Sequence, residues 1–312
     1  MYMAKFPCDL HTHTIRSDGN DTCQELVDLA AQAGIEILAI TDHDIIAPGT
    51  IDIDGSTVNL TDYAKSKNIT LLLGIEFSCD TDVDDVHIVA LGCDYSHPFF
   101  EREYHNSIRS KIDGYRELCE LLSQDGMDVD WNMDILLGGK RSENVVQRKH
   151  IFEAMALKGY VDEWSDAKLL VNKTEKYSVK RKKPSPPDIV KNIHEAGGIA
   201  ILAHPFLINE RVMRKNEPVS RASYIDDLID AGLDGIEVSY PYDKTSYGGL
   251  IPADQLETEA LRAYSGRVPI LSGGSDYHNE GKKGSKNPRM LGEKGLTMDY
   301  FINNRMLCAL LP

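Results

Sequence analysis

Short apolar runs alternate with amphipathic stretches along most of this chain, and nearly every run ends in a histidine or a carboxylate. Strands that alternate with helices form a parallel sheet with right-handed crossovers. In an α/β barrel, residues from many strands meet at the C-terminal mouth. A doubly wound sheet instead gathers its ligands at one switch point. Ligand-type residues at so many strand ends therefore predict a closed or nearly closed barrel.

Thr22-Cys23-Gln24-Glu25 is spelled as a capping box and predicts a helix to about Ala33, ended by Gly34. Strands are expected at Ile35 to Ile40, Ile69 to Leu73, His87 to Leu91, Ile199 to Ala203, Gly235 to Val238 and Val268 to Leu271. Ser185-Pro186-Pro187-Asp188 caps a helix to Ala196, closed by Gly197-Gly198. Between Tyr95 and Lys183 the rhythm breaks into two helical segments, near Tyr104 to Gln124 and His150 to Lys158, and a basic run at Lys180 to Lys183. The expected organisation is a discontinuous barrel domain over 1–95 and 184–312, with a helical insertion over 96–183 that caps the mouth.

His11 and His13 lie two apart in Asp9-Leu10-His11-Thr12-His13, so on a strand both side chains share a face. Asp18 follows in a Ser-Asp-Gly turn, where an aspartate is often only a turn former. In Thr41-Asp42-His43-Asp44, Asp42 alternates away from His43 and is expected to support a ligand or cap the next turn. Glu76 sits in Gly74-Ile75-Glu76-Phe77-Ser78, a run too apolar for an unpaired carboxylate, whose burial costs several kcal/mol. His87, Ala203-His204-Pro205 and Ser275-Asp276-Tyr277-His278 complete the series, with Asp276 and His278 again co-facial. Singly, each is more often a structural residue than a ligand. Together, in one βα rhythm, they predict a multinuclear metal site and hence a metal-dependent hydrolase. Tyr240 and Tyr277 are expected to be packing residues.

Length and composition agree with an ordinary soluble globular protein: 312 residues, 42% hydrophobic and 27% charged. A formal charge of −15 disfavours duplex DNA and anionic membranes, which bind through basic patches. A small phosphorylated substrate stays compatible, because bound cations reverse the field locally. The chain shows no secretory leader and no apolar run of 18 residues, and its six cysteines include no C-x-x-C pair. A cytoplasmic protein with reduced thiols is expected.

The motifs His-x-His-x-x-x-Ser-Asp-Gly, Thr-Asp-His, Gly-x-Glu-x-Ser with a later His, Ala-His-Pro and Gly-Ser-Asp-x-His resemble the PHP family, named for its polymerase and histidinol phosphatase members. The resemblance runs from Asp9 to about Asn279, interrupted by the insertion. It implies a distorted (β/α)7 TIM-like barrel and two to three divalent ions. Carried over, it would place His11, His13, Glu76 and Asp276 on one metal, with Glu76 bridging to a second held by His87 and His204. Asp18, His43 and His278 would hold the third. Glu76, Asp276 and His278 are then the catalytic candidates. Nitrogen and oxygen ligands without thiolate fit Mn, Fe or Zn. Smaller details, among them Gln147-Arg148-Lys149-His150 in the insertion, resemble the branch that hydrolyses nucleoside 3′,5′-bisphosphates and short oligoribonucleotides. Arg148 and His150 are the candidates for gripping the substrate phosphate. The alternatives are a histidinol-phosphate phosphatase on the same scaffold, a metal-dependent amide hydrolase and a non-catalytic interaction module. A bridging Glu76 favours phosphoester over amide chemistry, and the intact ligand set argues against a module without activity.

Overall fold

The computed structural model describes residues 2–214 and 217–312. The chain divides into two compact units, Met1–Phe100 together with Pro184–Pro312, and Glu101–Lys183. The first is a mixed α/β barrel. Its strands are β1 (Cys8–Asp9), β2 (Ile37–Ile40), β3 (Thr70–Ser78), β4 (His87–Leu91), β5 (Ile199–Leu202), β6 (Gly235–Ser239) and β7 (Ile270–Gly273). They lie side by side in chain order. The barrel nearly closes where the extensions of β1 and β7 meet. There His13 N–H donates to the Tyr277 carbonyl at 2.9 Å, and a Cβ on Gly274 would collide with His11.

The wholly parallel sheet expected from the βα rhythm is not what forms. β4 runs antiparallel to both β3 and β5, whereas the other pairs are parallel. Only residues 79–86 separate β3 from β4. That is too short for a crossover, which needs about a dozen residues or more. The reversal has a consequence for the site. His87 opens its strand rather than ending it, yet it lies at the same mouth, paired with Ser78.

Helices α1 (Cys23–Ala33), α2 (Leu60–Ser66), α6 (Pro186–Glu195), α7 (Arg221–Asp230) and α8 (Ala253–Tyr264) belong to this unit. α1 starts on a complete capping box between Thr22 and Glu25 and stops at Gly34, whose φ of 82° suits a residue without Cβ. Ser185 caps α6 by accepting from Asp188 N–H.

Period-two alternation sorts the strand side chains. Ile37, Ala39, Leu72, Val89, Leu91, Ile201 and Ile270 share one cluster inside the barrel, closed below by Phe301 and Leu307. Leu38 and Ile40 face outward against Leu26 and Val27 of α1. Continued to the mouth, the inward parity brings in His43, Glu76 and His87.

The second unit contains α4 (Arg148–Leu157), α5 (Trp164–Lys173) and most of α3 (Pro98–Gln124), around a core of Leu118, Leu122, Ile151, Phe152, Met155 and Val171. α5 buries only Ala167 and Val171, too weak a stripe to be read from sequence.

Candidate active site

Each side chain singled out at the barrel mouth is delivered by a strand end or the turn behind it. His11 and His13 extend β1, His43 lies beyond β2, Glu76 is within β3 and His87 opens β4. His204 follows β5, and Asp276 and His278 follow β7. Two of these break regular backbone geometry. By alternation from Ile201 and Ala203, His204 would point out of the barrel, but its φ of 29° turns it inward. Asp276 also has positive φ, 49°. Such conformations cost about 1–3 kcal/mol each and persist where surrounding contacts over-determine them.

Glu76 is fully buried and lies at the centre. Its Oε2 is 3.3 Å from His11 Nε2, 3.3 Å from His13 Nε2 and 3.0 Å from His43 Nδ1. Its Oε1 is 2.9 Å from His87 Nδ1 and 3.0 Å from His204 Nε2. Asp276 Oδ1 adds contacts of 3.1 Å to His13 Nε2 and 3.6 Å to His11 Nε2. Beside them, Asp18 lies 3.0 Å from His278 Nε2 and 3.8 Å from His43 Nε2.

Three overlapping groups offer ligand atoms within 4.8 Å of one another: His13, Asp18, His43 and His278; His11, His13 and Glu76; His43, Glu76 and His87. His11 Nε2, His13 Nε2, His43 Nδ1 and Glu76 Oε2 are buried and make no hydrogen bond. Buried polar atoms are nearly always satisfied. Lone pairs from separate strands converging without partners fit a cation. The residues present therefore suit divalent metal, through nitrogen and oxygen only.

The electrostatics agree. Burial pushes the Glu76 carboxyl up, but the imidazoles of His43, His11 and His87 outweigh it and hold the group well below the usual carboxylate range. Burial lowers the His11 ring, yet Glu76, Glu237 and Asp276 raise it well above the ordinary histidine value. His43 also rises against burial, to about 10, chiefly through Glu76. Without cations, protons on His11, His13 and His43 carry the positive charge that this carboxylate cluster requires, whereas burial lowers the His87 ring.

Several residues in this frame escaped the sequence reading. Asp9, fully buried, accepts from Ser275 N–H at 2.9 Å, Ser275 Oγ at 2.6 Å and Gly292 N–H at 2.8 Å, tying β1 to the loops after β7. Glu237, in β6, contacts His11 and His204. Its strand reads Gly-Ile-Glu-Val-Ser, nearly the spelling around Glu76, so the argument against an unpaired buried carboxylate applied to it as well. Tyr240 is more than packing: its hydroxyl donates to Asp276 Oδ2 at 2.7 Å. Arg289 pairs with the same oxygen and with Glu280. No motif marks Arg289. Asp42, by contrast, has the supporting role expected of it: it accepts from Thr14 N–H, Thr14 Oγ1 and Ser17 Oγ, each at 2.7 Å, and so holds the turn that presents Asp18. A cavity of about 370 Å³ opens over the cluster, with Lys244, Thr245, Ser246 and Arg289 in its wall.

Arg148 and His150 lie in the second unit, at the start of α4. The Arg148 guanidinium lies over the Phe152 ring at 5.7 Å. His150 Nδ1 accepts from Gln147 N–H at 3.0 Å and so completes the helix cap.

A barrel mouth lined by six imidazoles and three carboxylates, with orphaned ring nitrogens facing one another, defines a metal-dependent hydrolase. Comparison with known proteins narrows the class. The PHP domain model matches residues 9–182, more than half of the chain. A 5′-3′ exoribonuclease from Haemophilus influenzae is 30% identical over 64% of this chain and 69% of its own length. Phosphoribosyl 1,2-cyclic phosphate 1,2-diphosphodiesterase from Eggerthella lenta is 27% identical, covering 87% and 94%. A 3′,5′-nucleoside bisphosphate phosphatase from Chromobacterium violaceum is 28% identical, with 88% of each chain covered. Among solved structures, a candidate metal-dependent phosphoesterase from Bifidobacterium adolescentis superposes with a TM-score of 0.65 at 27% identity, over 97% of this chain and 96% of that one. The chain belongs to the PHP domain family and is a metal-dependent phosphoesterase. No helix among the described residues is long and apolar enough to cross a membrane.

Proposed function

We propose that this enzyme hydrolyses small phosphate esters of the nucleotide type, nucleoside 3′,5′-bisphosphates or short oligoribonucleotides. The observation that carries the phosphoesterase chemistry is Glu76, one buried carboxylate with imidazoles against both oxygens. In this reading His11, His13, Glu76 and Asp276 would hold one cation. Glu76, His87 and His204 would hold a second, and Asp18, His43 and His278 a third. Bound divalent cations lower the pKa of water toward neutrality and neutralise the phosphate oxygens.

The chain's own residues do the rest. Glu76 and Asp276 keep the mouth negative enough to retain cations, and Asp42 fixes the turn that carries Asp18. His278 stacks on His13 at 4.2 Å, which orders both rings. Lys244 and Arg289 place positive charge in the wall of the cavity over the cluster. Arg148, at the first turn of α4, is the proposed grip on the substrate phosphate, aided by the helix N-terminus and by His150. The substrate class is supported by relatives named as a 5′-3′ exoribonuclease and a 3′,5′-nucleoside bisphosphate phosphatase.

The test is an assay of the purified protein with Mn²⁺. Its panel contains a nucleoside 3′,5′-bisphosphate, a 5′-phosphorylated short oligoribonucleotide, a phosphoribosyl cyclic phosphate, histidinol phosphate and a set of amides. Turnover of either nucleotide arm at least tenfold above the others is expected. Preference for histidinol phosphate or the cyclic phosphate overturns the nucleotide assignment, and cleavage of amides alone overturns the proposed chemistry.

A further inference from the structure

Glu237 is 3% exposed, and among the described residues no lysine or arginine pairs with it. An isolated buried carboxylate is costly unless donors surround it. Two donors do, and both belong to the cluster at the mouth. Oε1 lies 3.2 Å from His11 Nδ1, and Oε2 accepts from the backbone N–H of His204 at 2.8 Å. We infer that Glu237 is a positioning residue for the cation centre, holding the His11 ring with its proton on Nδ1 and locking the inward turn of His204.

This role for Glu237 rests on the cation centre proposed above. A carboxylate only accepts, so the His11 nitrogen facing it carries the proton. With a cation bound, the other ring nitrogen, Nε2, would be left to present its lone pair to the ion; it is buried without a hydrogen bond, 3.3 Å from Glu76 Oε2 and 3.6 Å from Asp276 Oδ1. A histidine whose far nitrogen donates to a carboxylate has a fixed ring orientation and a more basic ligand atom. The second oxygen holds the backbone of a residue at φ 29°, a conformation that needs an external restraint. One side chain on β6 thereby sets two histidines that reach opposite oxygens of Glu76. Glutamine cannot replace it. Its amide has one accepting oxygen, so either His11 Nδ1 or His204 N–H must face an NH₂ group.

The experiment compares the full-length protein with Glu237→Gln and Glu237→Asp, loaded with Zn²⁺. Zn²⁺ affinity is read by competition with a chromophoric chelator, and ring protonation by NMR of ¹⁵N-histidine-labelled protein. In the parent, the His11 ring is expected to carry its proton on Nδ1. In Glu237→Gln, affinity for the tightest-bound cation should fall about ten- to a hundredfold, with the Nδ1 proton signal shifted or lost. Glu237→Asp, which keeps both accepting oxygens, should recover part of that affinity. An affinity in Glu237→Gln within twofold of the parent overturns the proposal. So does a parent in which His11 Nδ1 carries no proton, a result that stands even if the glutamine variant does not fold. A parent that takes up no Zn²⁺ overturns the metal reading itself, and this inference with it.

Discussion

Glu76 and Glu237 occupy equivalent places in two strands, Gly-Ile-Glu-Phe-Ser and Gly-Ile-Glu-Val-Ser, and face the same barrel interior. Their surroundings separate them. Glu76 has imidazoles on both oxygens, whereas Glu237 has one ring and one backbone amide. Replacing them should give different signatures. In the proposed centre Glu76 touches two cations, so Glu76→Gln is expected to lower kcat by at least about a hundredfold. The metal-free fold should survive, because glutamine is isosteric and sheds a buried charge. Steady-state rates at saturating Mn²⁺, with a thermal melt of the stripped protein, check this. Near-native kcat in that variant would remove Glu76 from the bridging position.

At the scale of elements, α4 tests whether the insertion acts on substrate or only folds. Its first turn contains both Arg148 and the cap formed by His150 Nδ1 on Gln147 N–H. Arg148→Ala is expected to raise KM for a nucleotide substrate at unchanged metal content. A charge-assisted phosphate contact is worth about 1.5–3 kcal/mol, or roughly ten- to a hundredfold in kcat/KM. A nitrophenyl phosphate diester should suffer less. Equal loss on both, or none on either, would count against a phosphate grip. His150→Ala is expected to cost about 1 kcal/mol of stability through the lost cap, read from the urea midpoint. The cap needs a neutral ring. Burial, Arg141 and Lys149 lower the His150 pKa from its ordinary 6.5. A base lowered in the native state adds stability that is complete above pH 6.5 and fades as pH falls through the lowered value. The parent's urea midpoint should therefore drop on the acid side of that window more than the variant's does.

For the whole molecule, charge is divided unevenly. Between Glu101 and Lys183 there are sixteen basic and fifteen acidic side chains, a net +1, so the barrel unit carries −16 of formal charge. Such a barrel needs counter-charge at its mouth. Gently purified protein is expected to contain two to three divalent ions per chain, and a chelator should abolish activity and lower Tm. Full activity with a single bound ion would rule out the multinuclear centre. The pH dependence follows from His43. Its native value is raised to about 10 from the ordinary 6.5, so in the stripped protein its stabilising pairing is complete below 6.5 and is lost as pH rises toward 10. At pH 7 that ring is charged without metal, and loading a cation must expel its proton. Calorimetric heats of loading at pH 7 should therefore vary with the ionisation enthalpy of the buffer. Heats independent of the buffer would contradict this.

What could be determined from the sequence alone was whatever depends on neighbours along the chain. Alternation continued from the strand put His11 with His13, and local hydrogen bonding marked the caps at Thr22 and Ser185. A carboxylate in an apolar run singled out Glu76, and motif spelling indicated the family. The direction of β4, the inward turn of His204 and the roles of Glu237, Asp9, Tyr240 and Arg289 were decided only by the tertiary structure. His11 and Glu237 stand 226 positions apart, and Ser275 and Asp9 stand 266 apart. Such pairs meet only because the strands close into a barrel. A donor and an acceptor carry no mark in sequence of which partner, across that closure, will satisfy them.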